Sequence, residues 1–193
     1  MKRLFTASLL ALALSVTLVA PAARAALVDV FAQANSSTGG IGAGAGVLSA
    51  GTSFSIVVDP LDLWNAGALP RWSNANGLVG NLFATGSDES GQTAGTLIGI
   101  QWPSLHSQGN LTTAFGTLVG RVGGGDYFVV GSTFNGVAAA SGLLELFYWD
   151  SNAGDNTQFI TATVTSVVPL PAAAWLFLAG TLGTIGVARR RRI

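Results

Sequence analysis

The chain has 193 residues, of which 49% are apolar and only 9% charged, whereas charged residues make up roughly 25% of a typical globular domain. Residues 26–167 carry nine acidic side chains against two arginines, a formal charge of −7, and this part of the chain has no lysine. Nucleic-acid binding needs clustered basic residues, so this charge excludes a nucleic-acid partner. The absence of cysteine excludes a disulfide scaffold, thiolate catalysis and Cys-ligated metal centres.

The N-terminus has the order of an export signal. Lys2 and Arg3 precede an almost unbroken apolar run, residues 4–19, which Pro21 ends. Ala23 and Ala25 place small residues at the two positions that a signal peptidase inspects. We predict a signal helix in residues 1–25, cleavage before Ala26 and export of the remainder.

Residues 26–167 contain short apolar runs separated by Gly, Asn, Asp, Ser and Pro, which predict β-strands. The last run is the clearest, because one phenylalanine and three threonines alternate with Ile160, Ala162 and Val164. The spacing and the glycine-marked turns predict an all-β domain, an antiparallel β-sandwich or jelly roll. The predicted strands are residues 27–34, 53–59, 78–84, 96–100, 117–122, 127–130, 143–149 and 158–166.

One glycine-rich segment and one segment with two tryptophans interrupt the predicted strands. Residues 39–46 lack the helix and the Lys-Ser/Thr pair of a phosphate-binding loop, so we expect a loop or a flexible strand edge there. Residues 61–77 hold Trp64 and Trp72, whose rings could stack on a sugar if exposed or cover the end of the sandwich if buried. Trp102 has the same two interpretations.

No arrangement of residues predicts catalysis. His106 is the single histidine, and the chain has no Gly-x-Ser-x-Gly motif that would accompany a Ser-His-Asp triad. No pair of the nine acidic residues is marked by its context for glycoside hydrolysis. We expect a protein that is not an enzyme.

The segment after the predicted strand 143–149 is rich in oxygen ligands. Asp150, Asn152, Asp155 and Asn156 bring two carboxylates and two amides within seven residues. Calcium takes about six to eight hard oxygen ligands and tolerates irregular geometry. The segment is not an EF-hand, and its composition alone favours an Asx-rich hairpin turn.

The C-terminus combines three features. Residues 172–188 are apolar and would form a helix of about 25 Å, close to the minimum for a membrane span. A cluster of arginines follows and holds that end in the cytoplasm. The motif before the helix is Val168, Pro169, Leu170, Pro171 and Ala172, and the cluster after it is Arg189, Arg190, Arg191 and Arg192.

This order resembles the PEP-CTERM sorting signal in its VPLPA variant, over residues 168–193. The resemblance implies recognition by an exosortase, a membrane peptidase of Gram-negative bacteria that also make exopolysaccharide. It also implies a temporary transmembrane helix, which holds the chain at the inner membrane facing the periplasm before transfer to the cell surface or extracellular matrix. A permanent single-span anchor is the alternative.

The central domain resembles the PA-I galactophilic lectin family, a calcium-dependent, galactose-binding β-sandwich. The resemblance lies in residues 114–123 and 144–159, in Gly67 and Trp72, and in the run from His106 to Gly109. It implies a galactose-binding-like sandwich, flanked in this chain by the signal helix and the transmembrane helix. The calcium loop is about three residues shorter than in the family, and residues 78–103 have no counterpart.

The resemblance also implies site residues. Calcium would be bound by Asp150, Asp155 and Asn156 and by backbone carbonyls near Ala66 and Gly154. His106 and Gln108 would hydrogen-bond a galactose-containing or exopolysaccharide glycan. The leading hypothesis is therefore an exported envelope protein that binds carbohydrate, and the alternative is a structural surface or biofilm-matrix protein with no working sugar site.

Overall fold

The computed structural model describes residues 22–168, so the predicted apolar run of the signal, the transmembrane helix and the arginine cluster lie outside the described residues. The strands are β1 (Ala22–Phe31), β2 (Ala43–Leu48), β3 (Ser53–Val58), β4 (Trp64–Asn65), β5 (Trp72–Ser73), β6 (Leu82–Phe83), β7 (Leu97–Gly99), β8 (Leu105–Gln108), β9 (Leu111–Ala114), β10 (Leu118–Val122), β11 (Phe128–Val129), β12 (Thr133–Val137), β13 (Gly142–Tyr148) and β14 (Phe159–Val168). A 3-10 turn spans Ala153–Asp155. None of the helical structure in residues 22–168 is long and apolar enough to cross a bilayer.

Two four-stranded sheets account for most of the strands. The first sheet has the order β1-β14-β3-β12 and the second β11-β10-β13-β2, and all of their pairings are antiparallel. Three two-stranded ladders, β4-β5, β6-β7 and β8-β9, occupy the long excursion between β3 and β10. The prediction of an all-β fold built from antiparallel sheets is confirmed for residues 22–168.

The alternation in β14 places its aliphatic side chains in the core. Ile160 and Ala162 are buried and pair with Val30 and Val28 of β1. Leu144 of β13 belongs to the same buried cluster, although it lies in the second sheet. The two sheets therefore pack face to face around one core, as a β-sandwich.

The C-terminal end of strand β13, from Leu146 to Tyr148, is buried on both faces, which fixes the position of the chain that follows it. Leu144 and Leu146 face the main core, whereas Phe147 lies on the opposite face with Val119 and Trp149. The partly buried Tyr127 and Leu111 pack against this outer cluster. A strand without a free face has little room to shift, so the loop that begins at Asp150 starts from a rigid point.

The observed strands differ from the predicted ones mainly in the excursion and at the sheet edges. The predicted strands 78–84 and 96–100 shrink to the short β6 and β7, while β4, β5, β8, β9 and β12 were not predicted as strands. Strand β2 overlaps the glycine-rich segment 39–46 and lies at an edge of the second sheet. The predicted cleavage site between Ala25 and Ala26 falls inside β1, whose partner throughout is β14. Short, polar edge strands lack the apolar alternation on which strand prediction depends.

Candidate functional site

Two segments far apart in sequence meet at one end of the sandwich. Asn65 in β4 and Thr157, just before β14, exchange backbone hydrogen bonds of 3.1 and 3.0 Å. This pairing brings Ala66, the next residue after β4, beside the loop that follows β13. The predicted carbonyl ligand and the predicted carboxylate loop are thereby brought to one place.

Asp150 is anchored through its backbone. Its N–H donates to Ser37 Oγ at 3.2 Å, and its carbonyl accepts hydrogen bonds from Ser37 Oγ at 3.1 Å and Thr38 Oγ1 at 2.6 Å. Burial raises the pKa of its carboxyl group, and the charge of Asp155 raises it further. Hydrogen bonds from the Ser151 N–H, the Asn156 side chain and the Asn152 N–H oppose that rise. Asp150 thus presents a carboxylate whose negative charge is poorly solvated and favours a cationic or hydrogen-bonding neighbour.

The loop after Asp150 is also an Asx-capped turn. Asn152 Oδ1 accepts a hydrogen bond of 3.1 Å from the Gly154 N–H, which caps the 3-10 turn. Asn152 Nδ2 donates to Oδ1 of Asp155 at 2.9 Å. These bonds hold Asp155 at a fixed orientation on the surface side of the loop.

A pocket of about 160 Å³ lies where the two segments meet. Its walls combine carboxylates, a guanidinium group, small polar groups and apolar rings. The lining residues are Ala66, Arg71, Leu78, Trp102, Phe115, Asp150, Ser151, Asn152 and Asp155. Three of the five predicted calcium ligands, Asp150, Asp155 and Ala66, are therefore brought together, and we call this cavity the Asp150 pocket.

Arg71 is the charged residue of this pocket that the sequence did not single out. Its Nη1 atom lies 3.4 Å from the carbonyl oxygen of Ala66 and 3.5 Å from Oδ2 of Asp155. Its guanidinium carbon lies 4.8 Å from the ring centroid of Trp102, within the range of a cation–π contact. A single arginine in a loop forms no recognisable motif. The one sequence signal for its importance is that residues 26–167 contain only two arginines and no lysine.

The remaining predicted ligands lie at the margin of the pocket. Asn156 is buried, and its Nδ2 donates to the carbonyl of Ala32 at 3.2 Å. Its Oδ1 has no hydrogen-bond partner among the described residues. Gly154 contributes its N–H to the Asn152 cap and does not line the pocket.

His106 and Gln108, the predicted sugar-binding residues, lie on β8 beside the pocket and do not line it. The His106 ring is 5.5 Å from that of Phe115 and 5.0 Å from that of Trp149, centroid to centroid. Gln108 Nε2 donates to the carbonyl of Ser37 at 2.7 Å. Both residues support the loops around Asp150, and their role toward a glycan stays a prediction.

The tryptophans of the segment 61–77 belong to the core. Trp64 is fully buried, donates from Nε1 to the carbonyl of Gly116 at 3.0 Å and packs edge-on against Tyr148 with centroids 4.5 Å apart. Trp72 is buried in a second cluster between the short ladders. The sugar-stacking interpretation therefore fails for both rings, whereas the half-buried Trp102 lines the pocket.

The donor set does not fit a calcium ion while Arg71 keeps its position. A cation bound by Ala66 and Asp155 would need the two oxygens that Nη1 of Arg71 contacts. Asp150 and Asp155 offer carboxylates of the kind that calcium prefers, and the buried Oδ1 of Asn156 has no hydrogen-bond partner among the described residues. Calcium binding stays a prediction.

The sorting motif cannot be placed on this fold. The backbone of Val168 ends β14, and Pro169, Leu170, Pro171, Ala172 and the residues that follow lie outside the described residues. The predicted exosortase recognition and membrane span therefore stay predictions.

No protein-family model and no curated protein matches the sequence. Among solved structures, the chain is similar to one described as "EclA N-terminal domain; PllA-like lectin", with a TM-score of 0.41 and 18% sequence identity. That likeness covers 74% of this chain and 94% of the other.

Proposed function

We propose that the domain binds carbohydrate reversibly in the Asp150 pocket. The observation that carries the proposal is the convergence of two carboxylates, one guanidinium group and the rings of Trp102 and Phe115 on one open cavity. A saccharide hydroxyl both donates and accepts hydrogen bonds, so it is matched by carboxylate acceptors beside a guanidinium donor. The apolar face of a sugar ring is matched by an aromatic wall.

Reversible binding without turnover agrees with the surroundings of His106. Its ring packs against Phe115 and Trp149, and its Nε2 lies 3.3 Å from Oε1 of Gln108. No described serine or carboxylate makes a hydrogen bond to this ring, as a nucleophile–base pair would require. We therefore expect the domain to hold its glycan and not to cleave it.

The affinity of one site is expected to be low. The Asp150 pocket is small and open, so we expect binding free energies of about −4 to −8 kcal/mol, which correspond to dissociation constants of about 1 mM to 1 μM. Retention on a glycan surface would then depend on several copies acting together.

The ends of the chain support a proposal about location. The signal-like N-terminus and the VPLPA motif, apolar run and arginine cluster at the C-terminus are the features of an exported protein that an exosortase-type peptidase sorts. We propose that the domain faces the periplasm first and the cell surface or matrix after processing. Protease protection of the full chain in intact cells tests this, because a central domain found in the cytoplasm would contradict it.

A structural role without sugar binding is the second candidate. The observation in its favour is that the Gln108 amide, predicted to contact sugar, already donates to the carbonyl of Ser37. In such a protein the polar groups around Asp150 would serve only to close the end of the sandwich.

Binding to a glycan array separates the two candidates. The full-length chain, purified in mild detergent, is applied beside Asp150→Asn and the exposed control Asp126→Asn, which removes the same charge away from the pocket. We expect wild type and Asp126→Asn to bind galactosides or exopolysaccharide fragments and Asp150→Asn to lose at least tenfold in affinity with an unchanged circular dichroism spectrum. Equal binding by all three proteins would contradict glycan binding in the Asp150 pocket. No binding by wild type would favour the structural role.

A further inference from the structure

Arg71 contacts two of the five groups that were predicted to bind calcium. Its Nη1 atom contacts the carbonyl oxygen of Ala66 at 3.4 Å and Oδ2 of Asp155 at 3.5 Å, and these are a carbonyl and a carboxylate from separate segments. Oxygen atoms of this kind, brought together by the fold, repel one another unless a positive group lies between them. The guanidinium group supplies that charge from within the chain.

The position of the guanidinium group is defined on a second side by Trp102. The guanidinium carbon lies 4.8 Å from the centroid of the indole ring. Trp102 is itself held by a hydrogen bond of 3.0 Å from its backbone N–H to the carbonyl of Leu78. A cation–π contact contributes about 0.5–1 kcal/mol at exposed sites and more where water is excluded. The side chain of Arg71 is 35% exposed and lines the pocket, so it is accessible to a ligand there.

Gly67 makes room for the ion pair. A Cβ atom at this position would overlap Oδ2 of Asp155 and lie 3.3 Å from Nη1 of Arg71. Its φ of +112° is also one that residues with side chains rarely adopt. The backbone beside the pair therefore has the one residue type that allows Arg71 and Asp155 to approach each other.

Arg71 keeps unused donors after these contacts. Both hydrogen bonds use Nη1, and neither Nε nor Nη2 donates to an acceptor within residues 22–168. Arginine carries five N–H donors in a planar fork. The free edge of that fork and the neighbouring carboxylates of Asp150 and Asp155 together offer donors and acceptors to one ligand.

The charge of the pocket indicates which saccharides it would take. Two carboxylates against one guanidinium group leave the pocket with a formal charge of −1, inside a domain that is itself acidic. An acidic sugar would be repelled, whereas a neutral sugar can pair one hydroxyl with the guanidinium group and the next with a carboxylate. Vicinal hydroxyls meet this requirement because they lie on adjacent carbons.

The geometry points to Arg71 as a built-in cation that takes the place of a metal ion, so that the Asp150 pocket binds neutral saccharides with vicinal hydroxyls without calcium. This inference rests on the proposed carbohydrate binding for its ligand. Its prediction that Arg71 replaces calcium can be tested without any sugar, by adding calcium alone.

The first experiment measures the melting temperature of the full-length chain in chelator and in about 10 mM calcium, for wild type, Arg71→Gln and Arg121→Gln. Arg121 is a suitable control because it pairs with Glu145 at 2.9 Å on the second sheet, and its replacement removes the same charge elsewhere. We expect no calcium shift for wild type or Arg121→Gln. For Arg71→Gln, which frees the oxygens of Ala66 and Asp155, we expect a rise of about 5 °C.

Three results would overturn the inference. A calcium shift in wild type would show that the ion binds beside or in place of Arg71. A shift of equal size in Arg71→Gln and Arg121→Gln would show only a response to net charge, and no shift in Arg71→Gln would show that Arg71 does not occupy a cation position. If Arg71→Gln fails to fold, the wild-type measurement still tests the inference. Arg71→Lys then serves as the second variant, and like wild type it should show no calcium shift.

The second experiment separates this inference from the proposed function. Galactose immobilised on beads is the probe, with wild type applied in chelator and in calcium. Equal retention in both supports the inference, and retention that requires calcium overturns it. If nothing is retained in either condition, the proposed galactoside ligand is wrong, and the calcium measurements still test the role of Arg71.

Discussion

Nη1 of Arg71 lies 3.5 Å from Oδ2 of Asp155, although the two residues are 84 positions apart in the chain. The contact depends on the backbone pairing of Asn65 with Thr157, which sets the loop after β4 against the loop after β13. The Asp150 pocket and its guanidinium group are therefore a product of the fold and not of any local motif.

Gly67→Ala is expected to disrupt this pair directly. The new Cβ would overlap Oδ2 of Asp155, and the residue would keep a φ of +112°. We expect a loss of about 1–3 kcal/mol in the free energy of unfolding, measured by urea denaturation, together with loss of glycan binding.

Gly46→Ala is the matched control for that substitution. Gly46 has a φ of +108°, but nothing lies within 4 Å of the position a Cβ would take. Gly46→Ala should lower the free energy of unfolding by the backbone strain alone and leave glycan binding unchanged. Equal effects of the two substitutions on binding would mean that the Arg71–Asp155 pair has no part in the site.

Two buried serines are expected to respond in opposite ways to replacement by alanine. Ser37 Oγ bonds to both the N–H and the carbonyl of Asp150, so Ser37→Ala should lower the free energy of unfolding by about 1–3 kcal/mol. Ser73 Oγ is buried and has no hydrogen-bond partner among the described residues, so Ser73→Ala should be neutral or stabilising by up to about 1 kcal/mol. Denaturant titrations of both variants test this, and a destabilised Ser73→Ala would show that its hydroxyl has a partner such as ordered water.

Asp62 should make stability depend on pH. Burial raises the pKa of its carboxyl group above 3.8, the Thr161 N–H at 2.7 Å opposes the rise, and the charges of Glu89, Asp59 and Asp29 add to it. Because the folded pKa is the higher one, its contribution to stability is complete below pH 3.8 and is lost as pH rises through the folded value.

Asp62→Asn should therefore be more stable than wild type at pH 7, with a gain that shrinks as the pH falls and disappears below about pH 3.8. The amide oxygen can still accept the hydrogen bond from Thr161. Urea denaturation between pH 3 and 7, with the exposed Asp126→Asn as control, measures the gain. A gain that is independent of pH would show that titration of Asp62 is not its cause.

The sequence predicted the parts of this fold that depend on local pattern. The alternation of Ile160, Ala162 and Val164 located β14, and the density of oxygen ligands located the loop that begins at Asp150. It could not decide which of Trp64 and Trp102 is buried, because Asn65 follows the first and Pro103 the second, outside the predicted strands, and their burial depends on which ladder covers them. It did not find Arg71 because the partners of that side chain are brought to it only by long-range strand pairing.

The most direct test of carbohydrate binding at this pocket is retention of the full-length chain on galactose and exopolysaccharide beads in chelator, for wild type, Trp102→Ala and Leu105→Ala. Trp102 forms the aromatic wall and holds Arg71, whereas Leu105 is exposed and does not line the pocket. We predict that wild type and Leu105→Ala are retained and that Trp102→Ala loses at least about tenfold in affinity, or about 1.4 kcal/mol. Equal retention of all three, or no retention of wild type on either matrix, would contradict the account.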